Sequence, residues 1–243
     1  MTAAFVFGDE LRHRLTANLA AHPRHEVDEH GLRRAAVAVV VVDSDPLRDG
    51  DDPFPALPDR LSDIPGADGY PLTGSVAGTA GGPAVLVTRR APTLRRHGGQ
   101  WALPGGRVDG GESPLDAALR ELREELGLRL PAQHLLGVLD DYATRSGYVI
   151  TPFVFWGGAD PPLAPDPAEV LSVQRISLRE LCRPDSPRFV TIPESDRPVV
   201  QLPIGGDLIH APTGAVLLQF RRVAIEGVTE RVAGYEQPVF AWS

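Results

Sequence analysis

Residues 106–128 read GRVDGGESPLDAALRELREELGL, and this stretch restricts the fold more tightly than any other. Ser113 has the chemistry of a helix N-cap, Pro114 suits the first helical position, and Asp116 sets a carboxylate near the positive end of the helix dipole. Gly127 supplies the stop. The spacing therefore predicts a helix over 114–126. Leu115, Ala118, Leu119, Leu122 and Leu126 fall on one stripe of that helix, which must pack against another layer. Arg120, Glu121, Glu124 and Glu125 take the other side. Ahead of the helix, Pro104, Gly105 and Gly106 let backbone come close to a ligand, and Gly110 and Gly111 make the turn.

Glu121 and Glu125 are one helical turn apart with Glu124 beside them, so three negative charges come within reach of a common point. Like charges at this spacing destabilise a bare helix by roughly a few tenths of a kcal/mol per pair. A hard divalent cation removes the conflict and suits carboxylate oxygens. On an arbitrary helix such a run reads as a solvated acidic face; the glycine corner in front of this one favours a site.

The fixed positions run from Gly106 through Glu112, Arg120-Glu121-Leu122 and Glu124-Glu125 to Gly127-Leu128, and this spacing resembles the complete Nudix box over 23 residues. The resemblance implies an α/β fold, an α/β/α sandwich with a mixed sheet, and Mg²⁺- or Mn²⁺-dependent hydrolysis of a diphosphate linked to another moiety. By the same resemblance Glu121, Glu124 and Glu125 are metal ligands or orient the attacking water. Glu112 and Arg120 support them, and the carbonyl of Gly105 or Gly106 is a further ligand.

A second resemblance lies upstream. Leu86-Val87-Thr88-Arg89-Arg90-Ala91, Arg95, Gly99 and Leu103-Pro104-Gly105-Gly106 resemble the signature that precedes the box in coenzyme A pyrophosphatases. Val87 stands where that group usually has Leu, and Leu103 where it usually has Phe. The implied substrate is coenzyme A or acyl-coenzyme A, with 3′,5′-ADP and 4′-phosphopantetheine as products. Arg90, Arg95 and Arg96, with Gly99 in the loop between, are the substrate-binding candidates, because forked guanidiniums suit phosphates. The alternative for these arginines is ordinary surface charge. His97 and Gln100 are either ligand contacts or loop polar groups, and Trp101 is expected in the core rather than as a stacking platform. Alternative functions are a broader diphosphatase acting on ADP-ribose, nucleotide sugars or dinucleoside polyphosphates, and a ligand sensor without turnover.

The chain of 243 residues carries net charge −8, which gives no footprint for a nucleic-acid backbone or a polybasic membrane patch. The expected partner is a small-molecule nucleotide, with no nucleic acid and no membrane. Its single cysteine, Cys182, leaves no internal disulfide. Charges interrupt the first residues before an apolar run develops, so the expectation is a cytoplasmic protein.

Leu11, Leu15 and Leu19 predict an amphipathic helix over 9–21, and RAAVAVVVVD from Arg34 a strand buried on both faces. Residues 43–83 read as a long loop insertion, and 83–90 as a strand that delivers Arg89 and Arg90 to the edge of the site. After the box, 135–139 and 148–156 form an antiparallel pair, with Asp140 and Asp141 either in a solvated turn or reaching the metals. DPAEV at 166–170 resembles a run common in Nudix proteins and makes Glu169 the candidate base or extra ligand. Ser177 and Glu180 form a capping box. The whole, 1–243, reads as one domain with a recognisable core at 34–182 and a divergent C-terminal extension at 183–243. In that extension 199–204 begins a hairpin turning at 205–207, while 214–227 fits strand or helix. The tail with Tyr235, Phe240 and Trp242 completes the core, covers the site or forms a homodimer contact.

Overall fold

A computed structural model describes residues 5–28, 31–49, 79–94 and 98–242. The unbroken apolar run becomes β1 (Arg33–Ser44), at the centre of a sheet ordered β3 (Trp101–Ala102), β2 (Gly82–Arg90), β1, β7 (Tyr148–Gly158), β5 (Leu135–Val138). β4 (Gly105–Arg107) pairs with β1, β6 (Tyr142–Ala143) with β7, and β8 (Val170–Ser177) with β2. β1 and β7 run parallel and the other pairs antiparallel, so the sheet is mixed.

Alternation along β1 divides the core in two. Ala36, Ala38, Val40 and Val42 face one layer, with Leu122 and Leu126 of α2 (Pro114–Leu126). Val39 and Val41 face the other, with Leu11, Leu15 and Leu19 of α1 (Asp9–Ala21). Helices therefore cover both faces of an α/β/α sandwich, because a strand apolar on both sides needs a partner on each. The capping of α2 is as the sequence predicts: Ser113 accepts from the Asp116 amide, Pro114 opens the helix, and Gly127 closes it at φ 64°.

The extension folds onto the α1 face. β9 (Arg188–Ile192), β10 (Ser195–Ile204) and β11 (Asp207–His210) form a second, antiparallel sheet whose hairpin turns at Gly205 and Gly206. Residues 214–227 resolve as helix: α4 (Thr213–Gln219) runs into π-wound turns over Phe220–Ile225. Period alone could not decide this, because the segment is buried on nearly all sides. Val232 lies in the core and Tyr235 packs against it, so the tail completes the core, while the Trp242 ring lies under Arg145.

Several expectations are corrected. Asp140 and Asp141 are neither solvated nor directed at the acidic helix. Asp140 is buried against His22, Arg231 and the His25 amide, and Asp141 takes Arg24, Arg34 and Thr151. Arg89 turns away from the site, because its side chain alternates to the opposite face of β2 from Arg90; it pairs with Asp207 at 3.0 Å and lies over Trp101. Trp101 is a core residue as expected, with its indole nitrogen on Asp207. Ser177 caps α3 (Leu178–Leu181), but Glu180 bonds Arg183 and the Gly205 amide instead of closing the capping box. The insertion is shorter than 43–83: β1 continues to Ser44, β2 starts at Gly82, and the Ser44 hydroxyl joins the two ends. Residues 50–78 lie outside the described residues. No helix among the described residues is long and apolar enough to cross a membrane.

Glu236 fastens the tail. Its carboxylate is 1% exposed and accepts from Arg145, Arg197 and Ser195 at 2.6 to 2.8 Å. Burial works against its charge, yet these donors prevail and hold its pKa at about 2, below the ordinary 4.5. A lowered folded-state pKa means the stabilisation is full above about 4.5 and is lost as pH falls toward 2. Glu236→Gln should cost about 2 kcal/mol in urea unfolding at pH 7. That difference should shrink steadily between pH 4.5 and 2.

Candidate active site

The site is built where β4 passes between β1 and α2. A Cβ on Gly105 would lie 2.3 Å from the Ala36 carbonyl oxygen, and one on Gly106 would lie 2.1 Å from Oε1 of Glu121. Only residues without a side chain let the strand approach both neighbours. The Gly105 amide donates to the carboxylate of Glu125, so strand and helix are joined at their acidic face.

Arg120 organises the outer carboxylates. Its Nε and Nη2 hold Glu112 at 3.0 and 3.2 Å, and Nη2 also donates to the Arg107 carbonyl at 2.9 Å. Its Nη1 takes Glu121 at 2.8 Å and Glu124 at 2.9 Å. Glu112 is further fixed by the Asp109 amide. These hydrogen bonds keep the Glu112 carboxyl below its usual range and raise the already high pKa of Arg120.

The three box carboxylates do not meet at one point as the helical spacing suggests. Glu121 and Glu124 share Arg120, whose single charge only partly offsets them, while Glu125 turns inward and is 4% exposed. Among the described residues no three acidic, His or Cys side chains form a ready cluster. The electrostatics nevertheless fit a cation. Burial, then Glu121 and Glu169, push the Glu125 carboxyl up to about 8, with Arg90 acting in the opposite direction. Burial also raises Glu121, with Arg120 opposing and Glu124 and Glu169 adding to the rise. An acidic set that resists its own charge is a donor set for a hard divalent ion.

Glu169, which is exposed, is brought to this group by backbone bonds. The Asp166 amide donates to the Glu125 carbonyl, the Glu169 amide to the Asp166 carbonyl, and Ala91 to the Glu169 carbonyl. The latter bond sets Glu169 beside the end of β2, where Arg90 stands. Arg90 is half-buried and its Nε has no hydrogen-bond partner. Gly99, at φ 73°, uses its amide on the Arg90 carbonyl and its own carbonyl on Arg89, so its backbone shapes the loop. The Gln100 carbonyl accepts from the Arg90 amide. Arg95, Arg96 and His97 lie outside the described residues. Sequence reasoning missed the Arg107 carbonyl, whose role carries no side-chain signal, and the two close contacts that demand Gly105 and Gly106.

The family model described as the NUDIX domain matches residues 74–198, more than half of the chain. The chain belongs to the Nudix family. Among its relatives are proteins named "Uncharacterized Nudix hydrolase NudL" from Yersinia pestis (strain Pestoides F) and Yersinia pseudotuberculosis serotype O:1b (strain IP 31758). Each is 40% identical over 99 residues, covering 40% of this chain and 50% of the relative. The chain thus spans about half the length of the curated relatives it matches. Similar solved structures include a MutT/nudix family protein from Enterococcus faecalis, 15% identical with a TM-score of 0.43, covering 80% of this chain and 64% of that one. A putative nudix hydrolase family member from Chromobacterium violaceum is 19% identical with a TM-score of 0.40, covering 80% of each chain.

The Nudix geometry makes Gly106→Ala a specific probe. Its added methyl meets the Glu121 carboxylate rather than the core. Displacing that group by about 1 Å should reduce hydrolysis on the order of 10²-fold. The thermal unfolding midpoint should stay within a few degrees, roughly, because no apolar packing is lost.

Proposed function

We propose that this Nudix hydrolase cleaves the diphosphate of coenzyme A or an acyl-coenzyme A, releasing 3′,5′-ADP and 4′-phosphopantetheine. The observation that carries the reaction is the buried Glu125 carboxylate, raised to about 8 between Glu121 and Glu169 and next to the Gly105 amide. Glu121, Glu124 and Glu125 would hold Mg²⁺ or Mn²⁺ together with the carbonyl of Gly105 or Gly106. The ion supplies charge neutralisation for the diphosphate and acidifies the attacking water.

The chain's own residues do the rest. Arg120 and Glu112 keep α2 and β4 in register, so that the carboxylates keep their position through turnover. Glu169 accepts the proton of the water as its oxygen bonds to one phosphorus and the bridging P–O bond breaks. The leaving group departs as a phosphate. Arg90, whose charge acts on Glu125, holds a non-reacting phosphate oxygen. Support for coenzyme A comes from the match of 86–91, 95, 99 and 103–106 to the signature described above. One observation favours a broader diphosphatase: Arg89 is committed to Asp207, which leaves Arg90 as the described arginine of that pair facing the site. We also read 1–243 as one domain, because Val200, Leu202 and Phe220 of the extension share a core with Val39 and Val41 of β1.

Hydrolysis of coenzyme A, dephospho-coenzyme A and ADP-ribose with Mg²⁺ and with Mn²⁺ tests the substrate. Coenzyme A should exceed its dephospho form by about tenfold in kcat/KM, equivalent to about 1.4 kcal/mol. Equal rates would favour the broader reading. Glu125→Gln should lower the metal-dependent rate by at least about 10²-fold and keep the fold, since the neutral amide suits the same buried place. Retained activity in that variant would show that the carboxylate set is misassigned.

A further inference from the structure

Next to the glycine corner, β4 ends at Arg107, whose guanidinium faces the ring of Tyr148 at 5.5 Å from its centroid. Arg33, at the start of β1, lies over the same ring at 4.1 Å. The register explains the meeting: Ala35 pairs with Arg107 across β1 and β4, and Arg33 with Tyr148 across β1 and β7. All three residues fall on the face of the sheet opposite the one that receives Glu121.

This pair of cations differs from its neighbours. In a chain of net charge −8, Arg24 and Arg34 are matched to Asp141, Arg231 to Asp140, and Arg145 to Glu236. No carboxylate among the described residues pairs with Arg33 or Arg107; the one polar contact of Arg33's guanidinium is the Ser146 carbonyl at 3.5 Å. Both arginines are exposed. Two like charges on one aromatic ring repel each other. The ring's negative face offsets this by about 0.5–1 kcal/mol for an exposed cation. Exposed guanidiniums beside a ring and without a carboxylate partner are available for forked hydrogen bonds, which a phosphate dianion suits.

From this arrangement we infer that Arg33 and Arg107, positioned by Tyr148, form a subsite for a phosphomonoester carried by the substrate outside the scissile diphosphate. The inference rests on the reading of the substrate as a nucleotide. It assigns specificity for the extra phosphate to the end of β4, one residue beyond Gly106, in place of the loop after β2. Tyr148 is a positioning residue here, and its hydroxyl is not required.

Binding without turnover separates this inference from the proposed reaction. Affinities of the wild-type protein for 3′,5′-ADP and 5′-AMP should differ by about tenfold or more in favour of the bisphosphate. Arg107→Gln, and independently Arg33→Gln, should remove most of that preference and change 5′-AMP binding less than about twofold; Tyr148→Phe should keep it. Two arginine variants and a circular-dichroism melt of each guard against a folding defect in one. The inference is overturned if wild type does not prefer the bisphosphate, if both arginine variants keep the preference, or if they weaken both ligands equally. Failure to hydrolyse coenzyme A alongside an intact bisphosphate preference would instead count against the proposed reaction alone.

Discussion

The close approach of β4 to β1 on one side and to α2 on the other is the constraint on which the site depends. It exists because Gly105 and Gly106 carry no Cβ where one would meet the Ala36 carbonyl and the other the Glu121 carboxylate. That approach puts a backbone amide on Glu125 and removes its carboxylate from water. A charge buried in this way is costly unless a partner is supplied. The helix dipole does not provide one, since Glu125 lies near the negative end of α2. The local fold thus stores an electrostatic demand that a divalent cation meets.

Similar demands elsewhere in the molecule are met internally. Asp140, Asp141, Asp207 and Glu236 are buried and each takes at least one arginine. They tie the N-terminal segment, the central sheet and the extension together, so the second sheet and tail are integral to the layer that covers the α1 face. Among the buried acids the contrast is with Glu125, where Arg90 acts at a distance and no ion pair among the described residues closes the charge. Structural carboxylates are saturated with cations, and the one at the glycine corner is left in need of one.

Much of this was legible in the sequence where local chemistry decides the outcome. Ser113, Pro114 and Gly127 marked both ends of α2, Leu11, Leu15 and Leu19 marked α1, and the valine run marked a strand covered twice. Long-range pairing was not legible. Asp140 and Asp141 follow a strand and look like a turn, yet they meet Arg231 and Arg24 from distant parts of the chain. Arg89 and Arg90 look equivalent, but strand alternation sends one to Asp207 and the other toward Glu125. The acidic trio was legible as three carboxylates within about one turn of one helix. Its division between Arg120 and Gly105 was not, because Arg120 belongs to the same face and competes for the same oxygens.

The central claim is that Glu121 and Glu125 together demand a divalent cation. Titration of Mn²⁺ into the purified protein, followed by the loss of the free-ion electron paramagnetic resonance signal, tests it most directly. Wild type should bind the ion, and Glu121→Gln combined with Glu125→Gln should weaken binding by about tenfold or more. Equal binding by the two proteins, or no binding by wild type with or without a diphosphate ligand, would contradict the account.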